Sequence, residues 1–363
     1  MRVTYSPDVF RFQRAGGVSR YFLELHEGLR RRGVDSRLVA GLHINAHVRG
    51  RPGVVGVDIA ALRPAKLRQA LSKGVDGAID EILWRRLRPG DIHHATWYPA
   101  RVPSTDGLVV TVFDMIPERF PDLVARAGET TARKRRWCER AEVVLAISGT
   151  TKADLVDHFG VPEDKVVVTP LGVRPTDPSS DAAIPATPFV LYVGDRLAPY
   201  KNFDRLLLAM AAPAVPSELA LVCFGSQPVE DQERARVAEL GLSGRVHHAG
   251  GDDHVLAAHY AAASALVYPS LYEGFGLPPL EAMAHDCPVV CSRSGSLTEV
   301  MGDAVAYVDP LEVGSITDAI AKVLADEDWR TTLVRRGRAL VDQYTWDATV
   351  EATLDEYRKV AGG

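Results

Sequence analysis

A proline-rich stretch divides this sequence into two halves, and each half alternates short apolar runs with amphipathic stretches. In the first half, residues 108–113 and 143–147 have the length and composition of buried strands. In the second half, residues 189–193 and 265–268 do the same, and stretches with helical spacing separate the runs. Such alternation predicts mostly parallel sheets covered by helices, so the expected fold class is α/β with two Rossmann-like domains.

The proline-rich stretch itself marks the domain boundary. Residues 174–188 contain four prolines in fifteen positions and little apolar content, which is typical of a linker. We therefore expect a first domain at 1–173 and a second at 189–345 within the 363 residues. Sheets of this kind bind ligands beyond the carboxyl ends of their strands, which predicts a ligand cleft between the two domains.

Composition excludes some functional classes. The chain is 46% hydrophobic and 25% charged, with a net charge of -5, whereas a nucleic-acid-binding protein is usually basic. No apolar run reaches the roughly 18 residues of a membrane span. The first residues also lack the apolar stretch of a signal peptide, so a cytoplasmic location is expected.

Arginine is nevertheless clustered at two places, residues 30–32 and residues 133–136. One interpretation is a solvated helix face. The other is attraction to the inner, anionic face of a membrane, where a lipid-linked substrate would lie. The sequence leaves both interpretations open.

The strongest local pattern runs from residue 268 to residue 283. A strand is followed by a glycine-containing loop and then by a helix that begins near two prolines. Glycine lets the backbone approach a ligand, and free amides at a helix start attract phosphate. Glu273 and Glu281, eight positions apart, would accept hydrogen bonds from sugar hydroxyls. The expected donor-binding residues between and around them are Gly274, Phe275, Gly276 and Leu277.

A second pattern places two cations in a loop after the strand at 189–193. Gly194 opens the loop, and Arg196 and Lys201 follow just before a helix. Arginine binds oxygen pairs through its fork, and lysine acts as a point charge. Together they could neutralise a departing diphosphate without a metal ion.

Both patterns resemble motifs of retaining glycosyltransferase family 4, whose members have the GT-B fold. The pair Glu273 and Glu281 is similar to its E-x7-E motif, and Arg196 and Lys201 match its G-x-R-x(4)-K-N signature. The segment Gly-Gly-Val-Ser-Arg-Tyr-Phe, which contains Gly16 and Gly17, resembles a loop of a mannosyltransferase-like branch that approaches the donor across the cleft. The resemblance also implies that the last helix, about 346–363, packs back on the first domain.

Candidate residues of the first domain follow two strand ends. Many family members have His-Asp where this chain has Phe113 and Asp114, so Asp114 carries over as a candidate catalytic residue and Phe113 is a departure. Phe113 could pack beside a sugar ring, and His94 and Trp97 could contact the sugar or the acceptor. The alternative interpretations are a helix-capping aspartate and a buried structural histidine. The histidines at 247 and 248 fit no zinc template, so no metal is expected.

The resemblance implies a retaining, metal-independent glycosyltransferase that transfers a hexose from a nucleotide diphosphate sugar. GDP-mannose is the favoured donor, and UDP-sugars stay open. The acceptor would be a saccharide, a lipid-linked sugar or a small molecule, and the protein a monomer or homodimer without a cofactor. Two alternatives remain: a non-catalytic nucleotide-sugar-binding protein and a GT-B nucleotide-sugar epimerase.

Overall fold

The structure is a computed structural model that describes residues 1–225 and 231–362. The chain forms two compact units. The first comprises Met1–Pro121, Ala125–Gly172 and Trp346–Gly363, and the second comprises Asp122–Val124 and Val173–Thr345. Each unit is built on one parallel sheet with helices packed against it, which confirms the predicted α/β class of two Rossmann-like domains.

The described part of the first unit contains seven parallel strands. They are β1 (Arg2–Tyr5), β2 (Asp35–His43), β3 (Val54–Asp58), β4 (Ile92–Ala95), β5 (Leu108–Val112), β6 (Val143–Ala146) and β7 (Val166–Val168). Their order in the sheet is β3-β2-β1-β4-β5-β6-β7. The helices between them are α1 (Asp8–Phe12), α2 (Gly17–Arg31), α3 (Ala65–Arg85), α4 (Ile116–Arg119), α5 (Ala127–Arg140) and α6 (Gly149–Phe159).

The described part of the second unit contains six parallel strands. They are β8 (Phe189–Val193), β9 (Ala220–Phe224), β10 (Val246–Ala249), β11 (Ala265–Tyr268), β12 (Val289–Ser292) and β13 (Ala306–Val308), in the order β10-β9-β8-β11-β12-β13. The helices are α7 (Phe203–Met210), α8 (Asp231–Glu239), α9 (Asp253–Ala262), α10 (Leu277–Met283), α11 (Leu297–Met301), α12 (Val313–Ala325) and α13 (Glu327–Val341). The last helix of the chain, α14 (Trp346–Gly362), belongs to the first unit.

Burial explains why these segments form these elements. Every residue of β5 and β6 is buried, as expected of central parallel strands that are covered on both faces. On α2, the side chains of Phe22, Leu25 and Leu29 repeat at helical spacing and are fully buried. Helix α14 packs closely on α2: a Cβ at Gly28 of α2 would lie only 2.5 Å from a methyl group of Val350 of α14.

Several elements did not emerge from the sequence pattern, among them β3, α3 and β13. β3 lies at the edge of its sheet, and its short run of three valines is interrupted by Gly56 and largely exposed, so it does not resemble a continuous buried strand. α3 carries apolar residues on more than one side, which obscures the helical period.

The linker at 174–188 forms neither helix nor strand, and its backbone is hydrogen-bonded to the second unit. The carbonyl oxygen of Asp177 lies 2.8 Å from Nδ1 of His254, and the amide of Ser179 donates to the carbonyl oxygen of that histidine at 2.9 Å. The carbonyl oxygen of Thr176 lies 2.9 Å from Nε2 of His285. The linker is therefore fastened to helix α9 and to the turn that follows α10.

Candidate functional site

The candidate site of the second unit lies at the carboxyl ends of its strands, where three glycines follow β8, β9 and β10. Gly194 has a φ of +152°. A Cβ at Gly225 would lie 3.1 Å from the carbonyl oxygen of Gly194, and a Cβ at Gly250 would lie 3.3 Å from that of Gly225. The three loops therefore leave their strands in close contact, at the edge where sheets of this kind bind ligands.

Lys201 brings the loop after β8 to the loop after β11. Its Nζ lies 2.6 Å from Oε1 of Glu273 and donates to Oη of Tyr268 at 3.0 Å. The side chains of Lys201 and Glu273 are only 14% and 11% exposed, so the pair is largely shielded from water. Two residues that the sequence singled out separately thus form one charged pair.

The electrostatics of this pair favour its ionised form. Burial alone would lower the pKa of Lys201, but the attraction of Glu273 and the neighbouring tyrosines Tyr268 and Tyr200 outweigh it, and the pKa is raised well above its usual value. Burial and the Glu273 carboxylate raise the pKa of Tyr268 well above its usual value. The lysine is therefore a cation and the tyrosine a neutral hydroxyl at neutral pH.

Two neighbouring side chains hold these loops, and the sequence motifs did not reveal their roles. Asn202 sits in the left-handed region at φ +60°, and its Nδ2 donates to the carbonyl oxygens of Pro269 at 3.0 Å and Pro310 at 2.7 Å. Oγ of Ser296 donates to the carbonyl oxygen of Glu273 at 2.8 Å. Because these bonds fix the backbone on both sides of the ion pair, the pair is pre-positioned.

Arg196 is paired with a carboxylate that the sequence analysis missed. Its Nε donates to Oε1 of Glu233 at 2.8 Å, and a second guanidinium nitrogen lies 3.4 Å from Oε2. Burial lowers the pKa of Arg196, but hydrogen bonding to Glu233 reverses the shift and raises it. Glu233 lies on α8 without a recognisable motif, so only the fold could have placed it beside the arginine.

The glycine loop before α10 differs from the expectation in two respects. α10 begins at Leu277, so Pro278 and Pro279 occupy its first turn and supply no amide hydrogen. Glu281 therefore lies in the second turn rather than the first, and its Oε2 accepts a hydrogen bond from Oη of Tyr260 at 3.2 Å. Any phosphate at this helix start would be bound by the few amides of the loop itself.

Glycine at position 276 is required by geometry. Its φ is +101°, and a Cβ there would lie 2.7 Å from a methyl group of Leu297. Phe275 is buried and packs edge-on against Tyr344, with ring centroids 5.5 Å apart. Phe275, Gly274 and Gly276 can therefore offer backbone groups to a ligand, while the phenylalanine ring belongs to the core.

In the first unit, Gly16 and Gly17 lie where α2 begins. The amide of Gly16 donates to Nε2 of His47 at 3.3 Å, and a Cβ at Gly16 would lie 2.7 Å from the side chain of Gln13. That glutamine accepts a hydrogen bond from the amide of Ser19 at 2.8 Å. One of the first amides of α2 is thus already bound, and the glycines allow the loop to turn closely around Gln13.

The structure corrects the expected roles of His94 and Phe113. His94 is fully buried, with Nδ1 2.5 Å from Oη of Tyr357 and Nε2 2.8 Å from Oγ1 of Thr111. Burial lowers its pKa to about 3. Phe113 is 8% exposed and packs edge-on against Tyr21 at 5.2 Å between centroids. Both side chains belong to the core: the two ring nitrogens of His94 already have hydrogen-bond partners there, and the ring of Phe113 packs against Tyr21.

Asp114 and Trp97 stay closer to the surface. Oδ1 of Asp114 accepts a hydrogen bond from the amide of Ile116 at 3.0 Å, an Asx-type contact one residue before the N-cap position Met115 rather than the helix cap considered as an alternative. Its carbonyl oxygen accepts a hydrogen bond from Nζ of Lys134 at 2.9 Å. Trp97 is half-buried and packs edge-on against the exposed ring of Phe12, with centroids 5.3 Å apart. The pair forms an accessible aromatic surface.

Two features are absent from residues 1–225 and 231–362. No group of three or more histidine, cysteine, aspartate or glutamate side chains in that range is placed to hold a metal ion. Within the same range, the helices are too short or too polar to cross a bilayer.

The chain matches two models of known protein families. Residues 15–177 match the model of glycosyltransferase family 4, and residues 174–340 match the model of glycosyl transferases group 1. The two matches follow one another and together extend over both units. The chain belongs to this glycosyltransferase family. These matches confirm the family assignment made from the sequence. The GT-B fold is confirmed by the similarity to a solved sucrose-phosphate synthase.

Individual relatives agree with this assignment. The chain is 34% identical over 240 residues to O-antigen chain mannosyltransferase B of Escherichia coli, which covers 61% of each protein. It is 30% identical over 242 residues to MMP α-(1→4)-mannosyltransferase of Mycolicibacterium hassiacum, over 65% of this chain and 59% of that relative. The matched regions thus span about three fifths of these relatives. The solved sucrose-phosphate synthase of Thermosynechococcus elongatus superimposes with a TM-score of 0.78 at 23% identity, covering 99% of this chain and 98% of that one.

Proposed function

We propose that this glycosyltransferase transfers a hexose from a nucleotide diphosphate sugar with retention of anomeric configuration and without a metal ion. The observation that carries the proposal is the shielded contact between Lys201 and Glu273 at the carboxyl edge of the second sheet. A lysine there can bind a diphosphate oxygen, and the adjacent carboxylate can accept hydrogen bonds from sugar hydroxyls.

Arg196 supplies the second cation of the proposed site. A departing nucleoside diphosphate gains negative charge as the bond to the sugar breaks, and fixed cations stabilise that charge most where water is excluded. Each such donor contributes about 2.7–4 kcal/mol in enzymes where it has been removed. Two shielded cations therefore provide a role that a divalent metal fills in other transferases.

The reaction we propose is a front-face substitution. The bond between the anomeric carbon and the diphosphate oxygen breaks, and the acceptor oxygen forms its bond on the same face of the sugar. The acceptor's proton passes to a phosphate oxygen of the leaving group. Trapping of a sugar covalently bound to an enzyme side chain would contradict this sequence of events.

The proposed donor is GDP-mannose, with UDP-sugars as the alternative. Two relatives named as mannosyltransferases, at 34% and 30% identity, support mannose. The proposed acceptor is a saccharide, lipid-linked or small-molecule hydroxyl.

Calorimetric titration tests the site. Purified protein is titrated with GDP and with UDP in EDTA, alongside the Lys201→Ala variant and, as a matched surface control, Lys359→Ala. We expect one nucleotide to bind the wild type and the control, and to bind Lys201→Ala at least tenfold more weakly. Binding that requires a divalent metal, or equal binding by all three proteins, would contradict the proposal.

Incubation with sugar nucleotides separates the proposed activity from its alternatives. A transferase hydrolyses its donor slowly without an acceptor and consumes it quickly when the acceptor is added. An epimerase converts the donor into an isomer with no acceptor present. A protein that only senses the nucleotide sugar leaves the donor intact under both conditions.

A further inference from the structure

Helix α3 of the first unit presents a stripe of apolar side chains to solvent. Leu71, Val75 and Ile82 are 47%, 40% and 49% exposed, and Ala78 between them is also exposed. Their spacing is i, i+4, i+7 and i+11, so all four lie within a narrow arc of the helix surface. Apolar residues at this period normally face a core, whereas here they face outward.

The opposite side of α3 faces the sheet of the first unit. Asp80 is 3% exposed, and Nε1 of Trp84 donates to Nε2 of His93 on β4 at 3.1 Å. These residues lie on the side of the helix opposite the stripe. The helix is therefore attached to the sheet by one side and keeps a second apolar side without a partner in the described part of the chain.

The surrounding segment concentrates exposed apolar groups. Among the described residues, ten large apolar side chains are exposed, and six of them fall between positions 55 and 82. Besides the stripe, they include Val55 and Val57 on edge strand β3, at 63% and 59% exposure, and Leu62 at 48%. Scattered apolar residues are normal on a surface, but a concentration in one segment indicates an interaction site.

The same segment is basic, although the chain as a whole is acidic. Residues 49–88 contain nine arginines and lysines and four acidic residues, which gives a net charge of +5 in a chain whose total is -5. Arg85 and Arg86 lie on either side of the stripe, and the side chain of Arg85 is 77% exposed. An apolar stripe flanked by arginines is the arrangement of helices that lie in a membrane interface.

We propose that α3 docks the protein on an anionic lipid surface. The stripe would enter the boundary between head groups and acyl chains, and the flanking arginines would contact acidic head groups. Charge decides against a second copy of this chain, because two segments of +5 would repel one another while an anionic surface attracts each. The expected membrane contact thus lies on α3 and not in the cluster at 133–136, where Lys134 is buried against Glu118.

Vesicle co-sedimentation tests the docking surface independently of any catalytic activity. We expect the full-length protein to bind vesicles that contain phosphatidylglycerol and not vesicles of pure phosphatidylcholine. High salt should weaken the binding, because the attraction between exposed charges is screened. The triple variant Leu71→Gln, Val75→Gln, Ile82→Gln should bind about tenfold more weakly.

A matched control carries Leu311→Gln, an apolar residue of the second unit that is 59% exposed and lies outside the proposed donor site. We expect it to bind like the wild type. Circular dichroism melting and nucleotide titration on every variant establish that folding and the second unit are intact. Absence of binding to anionic vesicles, or equal binding by the triple variant, would overturn the proposal. So would a dimer of the wild type that the triple variant abolishes, because the stripe would then belong to a second copy.

Discussion

From the contact between Lys201 and Glu273 we predict that substitutions of these two residues affect stability and nucleotide binding differently. At 2.6 Å and an effective dielectric constant of about 20, the gross attraction between the charges is about 6 kcal/mol. Most of it offsets the cost of removing both ions from water, so the net contribution of the pair is small. Removing one partner is different, because the other keeps its desolvation cost and loses the attraction.

We therefore expect Lys201→Met to destabilise the second unit by about 3 kcal/mol, the lower end of the range for buried pairs, since the side chains are 14% and 11% exposed. Glu273→Gln should cost about 1–2 kcal/mol, because the amide can still accept a hydrogen bond from the ammonium group. The double variant Lys201→Met, Glu273→Gln removes both charges and should recover about 2 kcal/mol relative to the sum of the single changes.

The order of the variants in nucleotide affinity should differ from their order in stability. Glu273→Gln frees the lysine from its competing carboxylate, so we expect GDP or UDP to bind a few-fold more tightly while the preference for the intact sugar nucleotide is lost. Both variants that lack the lysine should bind at least tenfold more weakly, including the double variant, whose loss of stability is smaller than the sum of the two single losses.

Urea unfolding of the four proteins gives the stability cycle, and calorimetric titration of the same samples gives the binding cycle. A coupling energy below about 0.5 kcal/mol would refute the reasoning about burial. Tenfold weaker diphosphate binding by Glu273→Gln would refute the assignment of the carboxylate to the sugar rather than the phosphate.

Three further predictions concern other described residues. Lys134→Met should destabilise the first unit by about 3–5 kcal/mol in chemical denaturation, because Lys134 and Glu118 form a 2.8 Å ion pair with side chains 3% and 2% exposed; a loss below about 1 kcal/mol would show that the pair is not buried in solution. Burial lowers the pKa of His94 to about 3, so this residue adds stability above pH 6.5 that is lost as the pH falls toward 3; at pH 5 the loss should be about 2 kcal/mol, and thermal melts of His94→Gln should show a correspondingly weaker pH dependence. Gly276→Ala should cost about 1–3 kcal/mol because of its φ of +101°, whereas Gly314→Ala inside α12, with no atom within 4 Å of the new methyl group, should be neutral or stabilising by up to about 1 kcal/mol; equal melting temperatures for the two variants would contradict the conformational argument.

The parts of the fold that could be predicted from sequence are those in which local pattern and tertiary burial agree. β5, β6, β8 and β11 are apolar runs because parallel strands are covered on both faces, and α2 keeps one apolar face. The edge strand β3 was not predicted, because Gly56 interrupts its run of three valines and leaves too short an apolar stretch to distinguish a strand from a loop.

The residues of the candidate site also fall into two groups, those that the sequence motifs indicated and those that only the structure reveals. Motif spacing singled out Lys201 and Glu273, and the structure places the two side chains in contact. Motif spacing could not identify Glu233 or Ser296, which act on the site from distant positions in the chain and carry no motif of their own. His94 was misleading for a related reason: a histidine at a strand end looks like a ligand residue, and only the contacts with Tyr357 and Thr111 reveal that both nitrogens are used in the core.

The partners of the two cations change how the motif is understood. A sequence containing Arg196 and Lys201 suggests free positive charges waiting for a diphosphate, yet each is held by a carboxylate, Glu233 and Glu273. The four side chains form two pairs of opposite charge, so the proposed diphosphate would have to displace carboxylates that already bind the cations. Affinity then depends on the difference between two sets of charged hydrogen bonds rather than on the full strength of one. Such an exchange favours a ligand that offers both a phosphate for the lysine and hydroxyls for the displaced Glu273, which is the chemical description of a nucleotide sugar.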